Sequence, residues 1–377
     1  MYVRAHELFK RFMAGLAARP EASVVHSLAE SPKLGDFLGA LDPELSLDWS
    51  SQDFQGLPAL REKIIARTGT DKTCSVDDVL ITAGTAEANF LSISQLVQPA
   101  DSMIVDVPGW PQPLVLGEAI GAEVVRIQRQ ESLQWRIDIN ELADLITNRT
   151  RLIFLCNPNN PTGQVISEDE LKEIVTLADR VGAYVLCDEV YAGLEWNGIA
   201  IPRVANLYDK GISTGSVSKV LGLQGLRTGW LICRDRKLVY DAMVLREDSS
   251  EIMNVMGEAI ADIALADEYY LAAMDRALAA GRHNLQLVDD FIQANASLEW
   301  HKPVAGLIGF CHLHLDITAE EFARRLLQAP HRTFVMPGSA YGYPYHLRLG
   351  FGGGRDADVA KGLQRMQQFL DSLRVEP

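Results

Sequence analysis

From about residue 77 the chain alternates short apolar runs with longer stretches in which apolar residues recur every three or four positions. The run 79–81 leads into 85–96, 103–105 into 111–120, and 123–127 into 139–146. The run 151–155 precedes 167–181, and 183–187 comes next. Short apolar runs read as buried strands and the periodic stretches as amphipathic helices. Their alternation predicts an α/β fold with a largely parallel sheet. Two further runs, 212–217 and 229–233, extend the sheet.

Beyond about residue 235 the texture changes. Long helical stretches (259–265 and 268–294) are followed by a strand-like 307–315, an amphipathic 319–328, a strand-like 347–350 and a closing helix over 357–373. This pattern predicts a smaller α+β domain joined by a long helix. The N-terminal 45 residues lack the strand–helix rhythm and are expected to pack against the C-terminal part. Open parallel sheets hold ligands at the carboxyl ends of their strands. Small, polar and charged residues gather there: Gly84-Thr85, Pro108-Gly109-Trp110, 157–163, Asp188 to Tyr191, and Ser216 to Lys219.

The 377 residues are 47% apolar and 23% charged, which excludes disordered and low-complexity classes. Fifty acidic against 35 basic residues give a net charge of −15, which repels phosphate backbones and anionic lipid and argues against nucleic-acid and membrane partners. No apolar run reaches the ~18 residues of a membrane span. The five cysteines (Cys74, Cys156, Cys187, Cys233, Cys311) form no CxxC pair and mostly sit in apolar stretches, as small buried thiols in a reducing cytoplasm would. The basic first twenty residues superficially suggest a transit peptide. Leu8, Phe9, Phe12, Met13 and Leu16 instead fall at helical spacing, which predicts a surface helix packed on the body.

Lys219 directly follows the run 212–217. Burial lowers a lysine's pKa and makes it a nucleophile toward carbonyls, although a lone lysine at a strand end often snorkels to the surface. Asp188 closes the run 183–187, and a buried aspartate calls for a cationic partner. A protonated pyridine nitrogen would serve: at ~3 Å and an effective dielectric of 20 the attraction is roughly 5 kcal/mol, against ~1.4 in water. A structural ion pair is the alternative. No histidine or carboxylate stands near Asp188 at metal-ligand spacing, and no metal is expected. In Asn157-Pro158-Asn159-Asn160-Pro161-Thr162-Gly163 two prolines and a glycine force a tight turn, compatible with a cis Asn160–Pro161 bond, that sets an amide over the sheet edge.

The ordered set NPNNPTG, then DEVY, then SVSK with an arginine eight residues on, then PGSAYG and a late RLG resembles the pyridoxal-phosphate aminotransferases of fold type I, class I/II (the aspartate aminotransferase superfamily), from about residue 40 to the C-terminus. The resemblance implies a large domain with a mostly parallel seven-stranded sheet between helices (46–247). A smaller α+β domain would comprise the N-terminal segment (1–45), the linker helix and the C-terminal part (248–377). It also implies a cytoplasmic homodimer that moves an amino group between an amino acid and a 2-oxo acid. By the same resemblance Lys219 is the Schiff-base lysine, Asp188 the partner of the ring nitrogen, and Asn160 and Tyr191 the partners of the ring hydroxyl. Trp110 stacks on the ring. Gly84, Thr85, Ser216, Ser218 and Arg227 form the phosphate cup, where a helix N-terminus and a forked guanidinium suit an anion. Arg348, with Asn160, holds the substrate α-carboxylate; an isolated strand arginine is otherwise more often a surface residue. One departure is Ser51, where the family usually has a tyrosine that reaches the partner subunit's phosphate. Either a neighbour such as Trp49 substitutes or the cross-subunit contact is weaker.

Two other enzyme classes leave traces. Gly211-Ile212-Ser213-Thr214-Gly215 matches G-x-S-x-G, but the apolar run passes through it instead of turning into a helix. The glycine cluster at 350–354 has no βαβ unit around it, as a dinucleotide loop requires. Within pyridoxal-phosphate chemistry, C–S β-lysis and an arginine oxidase or cyclase reaction of the capreomycidine synthase type remain alternatives. The segments 26–31, 50–54 and 246–254 are expected to choose the substrate.

Overall fold

A computed structural model describes residues 7, 10, 11, 14, 20–48, 53–353 and 358–373. The expected N-terminal helix positions Leu8, Phe9, Phe12, Met13 and Leu16, together with Trp49 and Ser51, lie outside the described residues. In chain order the strands are β1 (Ala22–His26), β2 (Val79–Thr82), β3 (Ser102–Val107), β4 (Glu123–Gln130), β5 (Arg136–Ile137), β6 (Thr150–Cys156) and β7 (Tyr184–Asp188). There follow β8 (Gly211–Ser216), β9 (Gly229–Ile232), β10 (Leu298–Trp300), β11 (Ile308–Leu313), β12 (Thr333–Pro337) and β13 (His346–Phe351).

Eight strands form one sheet in the order β2-β9-β8-β7-β6-β3-β4-β5. β8, β7, β6, β3 and β4 pair in parallel, while β9 runs against both β8 and β2. The seven strands expected are all present, and the two-residue β5 adds an eighth, antiparallel to β4. Successive residues of the central strands feed two separate cores. Leu152, Phe154, Leu186 and Ile212 pack on one face, and Ile153, Leu155, Val185 and Cys187 on the other. A sheet covered on both faces needs unbroken apolar runs, which is why these strands are legible in the sequence. Each such side chain contributes about 1.5–3 kcal/mol on burial.

The covering helices begin where the sequence signals them. The helix Glu168–Val181 starts at Ser167, whose side chain accepts from the Glu170 amide while Glu170 returns a bond to the Ser167 amide; Gly182 closes it in a left-handed conformation. All five cysteines are buried and free, as expected.

The second sheet has five strands, β1-β12-β13-β11-β10. β1, which the sequence pattern does not reveal, pairs with β12 through Ala22 to Val24 and then with β13 through Val25 and His26. Gly350 and Gly352 permit that approach, because a Cβ on either would collide with the backbone of the segment running from Val25 to Leu28. The late glycine cluster thus seats a crossing strand and not a dinucleotide. Ser213 is equally structural: it is buried within β8, accepts from the Ala205 amide at 3.1 Å and donates to Glu189 at 2.8 Å.

Candidate active site

The parallel strands β6, β7 and β8 all end at one edge of the large sheet, with Asp188 paired in register to Cys156 on one side and to Thr214 on the other. Because β9 runs the opposite way, its beginning lies at that same edge, so Arg227, two residues before it, joins the cluster. Gly84 and Thr85 arrive from the end of β2, Trp110 follows β3, Asn160 follows β6, and Lys219 follows β8.

Asp188 is buried, and its carboxylate accepts from Asn89 Nδ2 at 2.9 Å and from the Val190 amide at 3.2 Å. Asn89 is held in turn by Thr214, whose hydroxyl donates to Asn89 Oδ1 at 2.9 Å. Two neutral donors do not offset the loss of water, and burial pushes the Asp188 carboxyl up to about 6. The half-buried Lys219 shows the mirror effect. Burial, reinforced by the charges of Arg348 and Arg227 and opposed by Asp188, brings its ammonium down to about 8. Its Nζ lies 5.7 Å from the centre of the Tyr191 ring.

Tyr191 is buried and donates to Ser27 Oγ at 3.0 Å; burial raises its phenol to about 12. Asn160 Oδ1 accepts from Tyr341 at 3.3 Å, and the Tyr341 oxygen accepts from Arg348 Nη1 at 3.3 Å. Arg348 also donates from Nη2 to the Val25 carbonyl at 2.6 Å. Among the described residues its Nε has no partner, and its Nη atoms meet a hydroxyl and a carbonyl, not a carboxylate. A buried guanidinium without a counter-ion is a seat for an anion.

A second anion seat lies at the other end of the cluster. Thr85 opens the helix Thr85–Leu96, and Ser216 Oγ accepts from the Ser218 amide at 3.2 Å. The hydroxyls of Thr85 and Ser218 are buried with no hydrogen-bond partner among the described residues. Arg227, in a left-handed conformation, donates to the carbonyls of Gln224 and Ala83 at 3.2 and 3.1 Å. Gly84 has φ +79°, and a Cβ there would strike the Arg227 guanidinium. Trp110 is partly buried beside the cluster that contains Val25, Phe310 and Tyr341.

Sequence reasoning did not assign Asn89, Thr214, Ser27 or Tyr341. Tyr341 lies inside the PGSAYG motif, and Asn89 sits one turn after Thr85 on the same helix face, which is the only signal the sequence offers for it. Ser27 belongs to a segment, 26–31, that the sequence marks for substrate choice. The segment and the strand before it lie against the cluster: the Val25 carbonyl accepts from Arg348, Ser27 accepts from Tyr191, and the Ala29 amide donates to the Lys219 carbonyl at 2.7 Å. The segment 246–254 behaves differently. Arg246 is fully buried and donates to the carbonyls of Ile81 and Phe54, so its role is structural.

An α/β chain with a lysine, an aspartate and two anion seats converging on one sheet edge defines a class of cofactor-dependent enzymes, and comparison with known proteins agrees. The family described as aminotransferase class I and II matches residues 49–366, and the chain belongs to it. It is 28% identical to an aspartate aminotransferase of Streptomyces avermitilis over 339 residues, covering 85% of this chain and 81% of that protein. A capreomycidine synthase of Streptomyces vinaceus is 27% identical over 295 residues, covering 78% and 74% respectively. The crystal structure of a PLP-dependent aminotransferase from Streptococcus suis superposes with a TM-score of 0.86 at 28% identity, covering 95% of this chain and 96% of that one.

Proposed function

We propose that the protein is a pyridoxal-phosphate-dependent aminotransferase that exchanges an amino group between an amino acid and a 2-oxo acid. It works as a cytoplasmic homodimer, with residues 46–247 as the large cofactor-binding domain, and residues 1–45 and 248–377 as the N-terminal segment, linker helix and small domain. The observation that carries this reading is the pairing of a buried carboxylate and a depressed lysine with two seats for anions, one lined by unpartnered hydroxyls and the other by an unpaired guanidinium. Those features fit the cofactor's cationic ring, aldehyde and phosphate, and the substrate's carboxylate.

Thr85, Ser216, Ser218 and Arg227 would hold the phosphate, with Gly84 leaving the space. Asp188 would hold the proton on the ring nitrogen, Asn160 and Tyr191 would bond the ring hydroxyl, and Trp110 would cover the ring. When bound, the cofactor supplies an aldehyde for the amino group and a cationic ring that draws electrons from the substrate's Cα. Arg348, fixed by Val25 and Tyr341, grips the α-carboxylate and turns the Cα–H toward Lys219. The Lys219 amine, brought down to about 8 so that a substantial fraction is unprotonated just above neutral pH, takes the Cα proton.

The test is a panel of amino-acid donors offered with pyruvate and 2-oxoglutarate, scoring 2-oxo acid, ammonia and peroxide separately. Aspartate, tyrosine and arginine belong in the panel because relatives carry the names aspartate aminotransferase, tyrosine aminotransferase and capreomycidine synthase. Stoichiometric amino transfer is the expected result. Ammonia with pyruvate, or peroxide, in place of transfer overturns it in favour of a lyase or an oxidase.

Two substitutions refine the assignment. Arg348→Ala is expected to raise KM for the amino acid about 100-fold, the loss of two charge-assisted bonds, with Arg348→Lys falling between. An unchanged KM removes Arg348 from that role. Asn89→Ala deprives Asp188 of a donor and leaves its carboxyl harder to ionise, so the acidic limb of the kcat profile should move to higher pH while KM stays near its original value. A profile that does not move reduces Asn89 to packing.

A further inference from the structure

Away from the cluster at the sheet edge, the two sheets meet at a group of histidines. His312 on β11 and His346 on β13 are register partners on adjacent antiparallel strands. Their side chains therefore share one face of the five-stranded sheet. Their rings stack 4.6 Å apart, His314 stacks on His312 at 4.3 Å, and Phe310 stacks on His346 at 4.7 Å. This ladder holds the two imidazoles beside Glu131, which comes from the turn directly after β4 of the large sheet. Glu131 Oε1 lies 3.2 Å from His346 Nε2 and 3.9 Å from His312 Nδ1.

We propose that Glu131, His312 and His346 form a binding site for a divalent transition metal, zinc being the best match, that ties the five-stranded sheet to the large one. The donor set is two imidazole nitrogens and one carboxylate oxygen, the composition that suits zinc with a fourth position left to water. One donor atom from each of the three residues lies within 4.8 Å of the others. Tetrahedral bonds of ~2.1 Å place donors about 3.4 Å apart, between the two measured Glu131–histidine separations of 3.2 and 3.9 Å, so side-chain rotation closes the triangle around an ion. The residues combine a firm base with access: the His346 side chain is 7% exposed, those of His312 and Glu131 are 33% and 35% exposed, and His312 lines a groove together with His314, Asp316 and Tyr345. Glu131 meets His346 Nε2 through both carboxylate oxygens, at 3.2 and 3.3 Å, and His312 Nδ1 beside it supplies the second imidazole of a chelate. His346 lies two residues before Arg348 on the same strand and the same face, so a metal here anchors the strand that carries the anion-binding guanidinium.

The experiment is calorimetric titration of tag-free, EDTA-treated holoenzyme with zinc chloride, repeated on Glu131→Gln and His346→Gln. One equivalent per chain with micromolar or tighter affinity is expected, weakened about tenfold or more in each variant. His331→Gln, in a part of the chain remote from the triad, should bind as the unaltered protein does. Absence of stoichiometric binding, or one equivalent bound equally well by Glu131→Gln, overturns the site. Glu131 lies on an exposed turn, so that variant decides the matter even if His346→Gln fails to fold, which circular dichroism reports.

Discussion

Lys219→Ala is expected to reduce kcat by about 10⁴-fold or more while the protein still takes up pyridoxal phosphate without a covalent bond. The division follows from the geometry. The groups suited to the phosphate, Thr85, Ser216, Ser218 and Arg227, are separate from the lysine and survive its removal. What disappears is the one amine positioned to carry a proton, and general-base catalysis alone accounts for 10²–10⁴-fold, with the nucleophilic role of the same amine added to it. The depressed pKa gives an independent check in the cofactor-free protein. An amine at about 8 is half neutral at pH 8, whereas an ordinary lysine is neutral in only about 0.3% of molecules there. Acylation of Lys219 by an amine-directed reagent, followed by peptide mapping, should therefore rise with pH to a midpoint near 8. A midpoint near 10.5, or full activity in the alanine variant, removes Lys219 from the mechanism.

The strands of the large sheet and the residues at their carboxyl ends were legible for one physical reason. A parallel strand buried on both faces is an unbroken apolar run, and the first polar residues after it must be either loop or site. β1, β10 and β12 escaped notice because they are short, with three to five residues each, and belong to a sheet whose strands come from distant parts of the chain. The positions of Lys219, Asp188 and Asn160 could be read locally, but their partners could not. Asn89 is 99 residues from Asp188, Ser27 is 164 from Tyr191, and Tyr341 is 181 from Asn160. Pairings of that span leave no periodicity, since they exist only after the sheet has formed and β1 has crossed it. The histidine ladder is the extreme case: Glu131 and His346 are 215 residues apart, and neither lies in a recognisable motif.

Asp188→Asn is expected to separate stability from activity. Ionised Asp188 is buried with two neutral donors, and raising its pKa from 3.8 to about 6 amounts to roughly 3 kcal/mol of destabilisation once the group is charged. The sign is fixed by linkage. Between those two values the folded protein holds a proton that the unfolded chain has released, so Asp188's favourable contribution is complete below pH 3.8 and is lost as pH rises through 6. In the cofactor-free state the asparagine variant should thus be at least as stable as the original protein at pH 7, and the two should converge near pH 4. Activity goes the other way. Without the carboxylate the ring nitrogen loses an attraction of about 5 kcal/mol, and kcat should fall by at least about 10³-fold. The same loss appears as a smaller rise in melting temperature on adding pyridoxal phosphate, because a ligand stabilises only in proportion to its affinity for the folded state. Thermal melts at pH 4 and 7, with and without cofactor, and a kcat measurement decide the point. A variant that is less stable than the original at pH 7 without cofactor shows that Asp188 is a structural ion-pair member whose charge the fold itself requires.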